Sequence, residues 1–203
     1  MQAISYLEEH YKQYRWFLTS TKKICIGGKS ATQNDELLKR LKRDFNDHDF
    51  IIMHTAEPGS PFSAILADPS KIKAQELKEQ ACFTGSFSRA WRDQKKTLQV
   101  DQFMLSQCYK TGAMKTGTWS VKGTRKNHSI RPELVLTRQL EVLRAVPEKT
   151  ITAKKDKLLI LKPGVNDKQD MLAKIQLELP KEKLDQNELL AALPPGGVSV
   201  KAP

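Results

Sequence analysis

Two pairs of short β-prone segments, each pair separated by only a few residues, set the strongest limit on what this chain can fold into. Residues 14–20 (YRWFLTS) and 23–27 (KICIG) are rich in aromatic and β-branched side chains, and two polar residues separate them. Residues 49–56 (DFIIMHTA) and 62–67 (FSAILA) flank a turn-forming PGSP sequence. Each pair predicts a β-hairpin, and therefore antiparallel sheet.

Two other segments have apolar residues at helical spacing. Ser30 and Gln33 have the spacing of a capping box, and the leucines that follow predict a helix that ends near residue 43. Pro69 opens a longer pattern, which predicts a single helix to about residue 93. Small side chains dominate one face of this helix. Gly85 in its interior costs about 1 kcal/mol relative to Ala, and close packing on a sheet could offset that cost.

Further strands are predicted after this helix. Residues 97–109 and 119–123 have strand-like composition, and a loop at 112–117 joins them as a third hairpin. Residues 12–135 therefore predict an α+β fold in which antiparallel β-hairpins pack with a long helix.

The remaining residues predict a small α+β appendage. A proline and charged residues near 145–149 interrupt two apolar segments, which divides the chain into a domain at 1–145 and a C-terminal extension at 150–203. The predicted elements of the extension are strands at 150–153 and 158–161, helices at 167–176 and 182–193, and a strand or frayed end at 198–200.

The charge of the chain indicates a polyanionic partner. Lys and Arg number 34 against 23 Asp and Glu, which gives a formal net charge of +11 at pH 7. Between residues 95 and 131, eight basic residues are accompanied by Asp101 as the only acidic one. Such an excess favours nucleic acid or an anionic membrane face over a neutral partner. The alternative is a solvated surface in which the lysines only keep the protein soluble. No apolar run approaches the roughly 20 residues that a membrane span needs.

Cysteine usage and the first residues predict a cytoplasmic protein. Cys25, Cys82 and Cys108 are scattered and form no CxxC pair, which argues against a disulfide framework and against structural zinc. Residues 1–12 (MQAISYLEEHYK) lack the apolar core of a signal peptide. No cofactor and no catalytic residue are predicted.

One group of acidic and histidine residues invites interpretation as a metal site. Asp47, His48 and Asp49 are followed by His54 and Glu57. On a strand that begins at Asp49, His54 projects from the opposite face, so the ligands do not converge as a metal site requires. His54 is better interpreted as a polar residue at a strand end, which either bonds to the backbone or faces a ligand.

The sequence GGKS at residues 27–30 lies between a strand and a helix, as a phosphate-binding loop does. A strict loop of that kind has glycine at the position occupied here by Lys23. Two interpretations remain. The segment is either an ordinary capped turn, or a generic anion site in which Lys29 and the amides of a helix N-terminus hold a phosphate.

Residues 115–123 (KTGTWSVKG) form a further basic segment. Lys115, Thr116 and Lys122 offer donors that suit phosphate groups. Trp119 occupies an alternating strand position, and it either offers a stacking plane to a base or packs in the core.

Five groups of motif residues follow one another between residues 14 and 135. They are WFLT at 16–19 with GGK at 27–29 and QND at 33–35, the strand and histidine at 49–54, PGSP at 58–61, SRAW at 88–91, and TGTW at 116–119 with KG at 122–123. Their order resembles that of the NFACT-R domain, the RNA-binding module of ribosome quality-control factors that extend stalled nascent chains. The sequence departs from that family at Phe50 or Ile51, where Trp or Tyr is usual, and at Pro61, where His is common.

The resemblance implies RNA binding without catalysis, with tRNA or ribosomal RNA as the ligand and the ribosome as a further partner. The N-terminal region and the coiled coil of the large factors are not found in this sequence, so we expect a standalone form that acts in translation quality control or in tRNA processing. The residues expected to bind RNA are Lys29, His54, Ser60, Arg89, Lys110, Lys115, Thr116, Trp119, Lys122, Arg125 and Lys126.

Two functions of other classes stay open. An RNA-modifying or phosphate-handling enzyme would use the turn at 27–30 and His54, and a protein-interaction adaptor would carry its charge for solubility. A steep salt dependence of RNA binding would favour the binding protein or the enzyme over the adaptor. Turnover of an RNA or nucleotide would then separate the enzyme from the binding protein.

Overall fold

The chain folds into helices and antiparallel sheets, as the α+β prediction requires. The computed structural model describes residues 6–44, 48–166, 168–180 and 182–203. Its helices are α1 (Tyr6–His10), α2 (Ala31–Asp44), α3 (Ala74–Ser86), α4 (Arg89–Arg92), α5 (Lys168–Glu178) and α6 (Gln186–Ala192). Its strands are β1 (Arg15–Leu18), β2 (Ile24–Gly27), β3 (Ile51–Thr55), β4 (Ser63–Ile65), β5 (Leu98–Met104), β6 (Cys108–Tyr109), β7 (Ser120–Val121), β8 (Lys126–Ile130), β9 (Leu134–Gln139), β10 (Val142–Val146), β11 (Leu159–Pro163) and β12 (Val198–Lys201).

Six strands form the main sheet in the order β1-β2-β4-β3-β5-β8, and every neighbouring pair is antiparallel. The pairs β1–β2 and β3–β4 confirm the two predicted hairpins. Successive side chains of a strand point to opposite faces of its sheet. In β1, Trp16 packs in the cluster that contains the leucines of α2, whereas Phe17 packs in the cluster that contains Phe83 of α3. The main sheet is thus covered by α2 on one face and by α3 on the other.

A second antiparallel sheet has the order β10-β9-β11-β12. It packs with α5, α6 and side chains of α3 and α4 in one hydrophobic cluster. The indole N–H of Trp91 donates to the carbonyl of Gly197 at 2.9 Å, and the side chain of Gln139 exchanges two hydrogen bonds with the backbone of Leu18. The boundary predicted at 145–150 therefore passes between β10 and β11, two strands of the same sheet.

The prediction of one continuous helix at 69–93 is wrong. A short 3-10 turn at Pro69–Lys71 comes first, and α3 and α4 are separate helices. Ser88 separates them because its backbone is extended and its hydroxyl accepts a hydrogen bond from the N–H of Ala90 at 3.1 Å, which caps α4.

The close packing expected at Gly85 is confirmed. A Cβ atom added there would lie 2.7 Å from Cδ1 of Ile130 and 3.0 Å from Cδ1 of Leu98. The small face of α3 lets the helix approach the sheet at this point.

Three predicted strands are shorter than expected or absent. A 3-10 turn at Leu105–Gln107 divides the strand predicted at 97–109 into β5 and β6. The strand predicted at 119–123 is reduced to β7, which pairs with β6. The strand predicted at 150–153 is wrong, since Glu148–Thr150 forms a 3-10 turn there.

The sequence pattern also misses β8, β9 and β10. The residues of β8 (KNHSI) are mostly polar and lie at the edge of the main sheet. Strands β9 and β10 are joined at Leu140 and Glu141, whose φ angles are 50° and 61°. Two-residue hairpin turns of this conformation normally carry Asn or Gly, so the usual sequence signal for the turn is missing.

Other elements of the predicted C-terminal extension are confirmed. The strands expected at 158–161 and 198–200 are β11 and β12. The helix expected at 167–176 corresponds to α5, and the one at 182–193 to the shorter α6. Asp47, a residue of the metal-site interpretation, and Asp167, the first residue of the helix predicted at 167–176, lie outside the described residues. None of the described helices is both long and apolar enough to cross a membrane.

Candidate nucleic-acid interface

An open cleft with a volume of about 640 Å³ lies beside the main sheet. The β2–α2 turn, the β3–β4 turn, the start of α4 and the loop between β6 and β7 supply most of its walls. Seven of the eleven residues predicted to bind RNA line it, namely Lys29, His54, Ser60, Arg89, Thr116, Trp119 and Arg125.

The β3–β4 turn places Arg89 at the cleft. Gly59 has a φ of +104°, and a Cβ atom there would lie 3.1 Å from Cβ of Arg89. The backbone N–H of Arg89 donates to the Gly59 carbonyl at 2.8 Å. Ser60 holds the turn from within, because its hydroxyl accepts from the N–H of Thr55 at 2.9 Å and donates to the Pro61 carbonyl at 3.1 Å. The buried Ser60 hydroxyl is thus occupied by protein groups.

The β2–α2 turn has the predicted cap. The Ser30 hydroxyl accepts from the N–H of Gln33 at 3.2 Å, and the side-chain oxygen of Gln33 accepts from the N–H of Lys29 at 2.9 Å. The Lys29 amide is therefore used inside the turn, and its ammonium is the group presented to the cleft. Next to it, the buried Asn34 joins the two turns by accepting from the N–H of Phe62 at 3.0 Å.

Asp35 of α2 holds the loop between β6 and β7. One of its carboxylate oxygens accepts from the ammonium of Lys110 at 3.0 Å, the N–H of Gly117 at 3.0 Å and the indole N–H of Trp119 at 2.8 Å. Burial raises the pKa of Asp35, but these hydrogen bonds outweigh that effect and hold the pKa below its ordinary value. Trp119 is thereby fixed as a half-buried wall of the cleft, with both core contacts and an accessible part.

His54 and Arg125 meet at Asp101 on the other side of the cleft. Asp101 pairs with His54 in the β3–β5 register and binds the Arg125 guanidinium at 3.2 Å. The His54 ring lies 4.5 Å from the Phe62 ring, and its Nδ1 donates to the Thr55 carbonyl at 2.7 Å. Burial lowers the pKa of His54, so the ring is neutral at pH 7 and Nε2 is an acceptor. The predicted backbone bond of His54 is confirmed, and its ring also lines the cleft.

Four of the predicted lysines lie outside the cleft. The ammonium of Lys110 also donates to two carbonyls of its own loop, so its hydrogen bonds stabilise that loop. The ammonium of Lys122 lies 4.8 Å from the centre of the Tyr109 ring. Lys115 and Lys126 are exposed and offer positive charge beside the cleft, not inside it.

The cleft-wall residues that sequence reasoning missed include Arg15, Arg92 and Pro195. Arg15 could have been found, because strand alternation places it on the same face of β1 as the buried Phe17. A charged side chain on an apolar face is a signal of a ligand or an ion pair. Nothing in the sequence indicates that Pro195 lies in the same cleft as residues from the N-terminal part of the chain.

The charged lining of the cleft is strongly positive. Among the described residues, Arg15, Lys29, Arg89, Arg92 and Arg125 line it together with one carboxylate, that of Asp101. Hydroxyl groups of Ser30, Thr116 and Thr118 lie among them. Guanidinium, ammonium and hydroxyl donors around an open groove suit a phosphate backbone.

The described residues offer little for metal or thiol chemistry. They contain no group of three His, Cys, Asp or Glu side chains that could hold a metal ion. Burial raises the pKa of Cys25 well above its ordinary value, that of Cys82 to about 11 and that of Cys108 to about 12. These thiols are protonated at pH 7, and none of them lines the cleft.

Comparison with known proteins identifies the family. The sequence model of the "NFACT protein RNA binding domain" matches residues 13–123, which is more than half of the chain. The chain belongs to this family. The part that matches the NFACT RNA-binding domain runs from β1 through β7 and contains both turns, α4 and the Asp35-held loop. The cleft is therefore built almost entirely by the NFACT domain, and Arg125 and Pro195 come from beyond the matched residues.

Two curated relatives of this chain are larger proteins. The archaeal Rqc2 homolog aRqcH of Methanocaldococcus jannaschii is 25% identical over 199 residues, which cover 94% of this chain and 29% of the relative. The ribosome quality control complex subunit NEMF homolog of Drosophila melanogaster is 29% identical over 138 residues, which cover 66% of this chain and 13% of the relative. The chain thus spans less than a third of either relative, and the archaeal similarity continues past residue 123.

Among solved structures, the C-terminal part of the fibronectin/fibrinogen-binding protein from Streptococcus suis is similar to this chain with a TM-score of 0.49 at 21% identity. The similarity covers 59% of this chain and 46% of that structure.

Proposed function

We propose that this protein binds structured RNA, tRNA or ribosomal RNA, through the cleft, and that it acts on the ribosome in quality control without catalysing a reaction. The observation that carries the proposal is the lining of the cleft, in which five cationic side chains accompany one carboxylate. Membership in a family of RNA-binding domains and the names of the two curated relatives support it.

In this proposal, phosphate contacts supply most of the affinity. Arg89 lies on the rim, and its exposed guanidinium can bind a phosphate through two N–H groups. Arg125 can do the same from the opposite side while it keeps its contact with Asp101. Thr116 and the neutral His54 add one donor and one acceptor that suit ribose hydroxyls or base edges. Lys115, Lys122 and Lys126 are proposed to attract RNA from outside the cleft.

The alternative of an enzyme built on the turn at 27–30 has less support. A phosphate-binding loop uses free backbone amides, but the N–H of Lys29 donates to Gln33. His54 is held with Nδ1 on a backbone carbonyl, and the carboxylate of Asp101, its partner in the strand register, is engaged by Arg125. Binding alone accounts for these contacts.

The test compares two double variants of the full chain in RNA-binding titrations between 50 and 200 mM salt. Arg89→Gln with Arg125→Gln removes two cleft cations, and we expect binding at least about tenfold weaker, with a salt slope smaller by about two units. The control, Lys154→Gln with Lys155→Gln, removes two exposed charges from a turn far along the chain and should change neither quantity by much. Equal losses in both variants would show that the cleft is not the binding site.

A further inference from the structure

Arg15 and Lys29 both line the cleft, and the charge of Arg15 acts on Lys29. Arg15 is the cross-strand partner of Gly27, and Lys29 follows two residues later at the start of the β2–α2 turn. Both residues line the cleft. The Arg15 guanidinium lies 4.6 Å from the centre of the Phe87 ring, so an apolar surface fixes its position.

A third cation lies directly behind this pair. Arg144 of β10 stacks its guanidinium 4.4 Å from the centre of the Trp16 ring. Arg15 and Arg144 both border a gap of about 10 Å³, which is room for about one water molecule. Burial, together with the charge of Arg144, lowers the pKa of Arg15 to about 10. Burial, Arg15 and Arg144 lower the pKa of Lys29. The three positive charges therefore act on one another.

No carboxylate of the described chain neutralises this group of three. None lies within 4 Å of the charged nitrogens of Arg15, Lys29 or Arg144. Glu188 favours the charged form of Arg144 from a greater distance, but its carboxylate accepts from the N–H of Leu143 at 2.7 Å and lies 3.5 Å from Arg138.

Arg144 also carries a hydrogen-bond donor that no described protein group accepts. Its Nε is buried and has no hydrogen-bond partner. Buried charges in folded proteins are normally paired. Of these three cations, Arg15 and Lys29 line the cleft and Arg144 does not, so an anion that enters the cleft can contact Arg15 and Lys29 and is attracted by the charge of Arg144.

We propose that Arg15 and Lys29, backed by the charge of Arg144, form a pocket for a phosphate monoester. The preference for a monoester over an internal phosphodiester follows from charge. A phosphodiester carries one negative charge, whereas a monoester carries about −1.5 to −2 at pH 7 and compensates most of the three positive charges. As part of the proposed function, and resting on it, the ligand is the terminal phosphate of an RNA. A free phosphate is the other source of the same chemistry.

The experiment measures binding of the full chain to one RNA hairpin prepared with a 5′-phosphate, with a 3′-phosphate or with hydroxyl ends. We expect one phosphorylated form to bind wild-type protein at least tenfold more tightly than the hydroxyl form. Arg15→Met and Arg144→Met remove the positive charge, keep an apolar side chain against the aromatic rings, and should reduce this preference to less than twofold. Arg144→Lys keeps the charge and should retain most of it. Lys149→Met removes an exposed charge elsewhere and should retain all of it.

A second measurement follows the thermal stability of the same variants in inorganic phosphate at constant ionic strength. Stabilisation of wild type and of Lys149→Met, lost in Arg15→Met, supports the pocket even if no RNA binds, and in that case the proposed function fails alone. RNA binding with equal affinity for all three hairpin ends, together with phosphate effects that are the same in every variant, overturns the pocket and leaves the proposed function standing.

Discussion

At the scale of single residues, Asp35 connects the fold to the cleft. Its carboxylate is buried and accepts from Lys110, Gly117 and Trp119. Replacing Asp35 by Ala leaves Lys110, whose side chain is only 15% exposed, without its counter-charge. We expect the free energy of unfolding in urea to fall by about 3 kcal/mol. Glu36→Ala, which removes a more exposed i,i+4 pair with Arg40, should cost less than about 0.5 kcal/mol. Equal costs would show that the Asp35 contacts add no stability.

Glu76 makes the free energy of unfolding depend on pH in the acidic range. Its side chain is buried and accepts hydrogen bonds from Lys23, Thr19, Thr21 and the N–H of Lys73. Burial raises the pKa of Glu76, but these bonds outweigh it and lower the pKa from 4.5 to about 2. Because the folded pKa is the lower one, the carboxylate stabilises the fold above pH 4.5, and this contribution is lost as the pH falls toward 2.

The measurement compares the free energy of unfolding of wild type and Glu76→Gln between pH 6 and pH 2. The difference should be roughly 3 kcal/mol at neutral pH and should shrink through the window from 4.5 to 2. A difference that stays constant over that window would assign the effect to packing instead of charge.

The residues of the cleft could be predicted only in part. Lys29, His54 and Arg89 belong to short motifs, and those motifs made them candidates for RNA binding. Arg15 was missed because a charged residue inside a β-prone run carries no motif of its own. Lys110 was predicted to bind RNA because the sequence shows that it is basic. The sequence does not show that its ammonium binds the carboxylate of Asp35, seventy-five residues earlier.

At the scale of elements, the loop between β6 and β7 depends on how closely it approaches α2. Gly117 has a φ of +80°, and a Cβ atom there would lie 2.7 Å from Cβ and 2.9 Å from Cα of Ala31. Gly117→Ala should therefore displace the loop, cost about 2 kcal/mol, change Trp119 fluorescence and weaken RNA binding. Gly112→Ala is a matched control in the same loop, because nothing lies within 4 Å of its added Cβ. A normal Trp119 signal in Gly117→Ala would contradict this account of the loop.

Elements with a strong local sequence signal were predictable, and elements without one were not. The first two hairpins and α2 follow from strand composition, a proline–glycine turn and a capping box. The helix break at Ser88 needs only one hydrogen bond, to Ala90, and does not interrupt the apolar spacing. Strand β8 has a polar composition, so its sequence does not indicate a strand. Its pairing with β5 places it in the sheet.

At the scale of the whole molecule, the two sheets depend on each other. Strand β11 pairs with β9, and β12 pairs with β11. The second sheet also packs with α3 and α4, which belong to the predicted domain at 1–145. Residues 147–149 have the composition of a linker, but the strands on either side of them share one sheet. Such pairing depends on contacts far apart in sequence, which a local pattern does not contain.

Truncation after residue 148 tests whether the chain divides at 145–150. The fragment would lose β11, and with it the partner of the buried Leu134 and Leu136 of β9, so an apolar face and an unpaired strand edge would be exposed. It would also lose Gly197, which accepts from Trp91 at the centre of the shared core. We therefore expect residues 1–148 to aggregate or to lose cooperative unfolding. Removal of 202–203, which lie beyond β12, should leave the melting transition unchanged. A soluble 1–148 fragment that melts cooperatively and keeps RNA affinity within about threefold, roughly 0.65 kcal/mol, would instead establish an independent N-terminal domain.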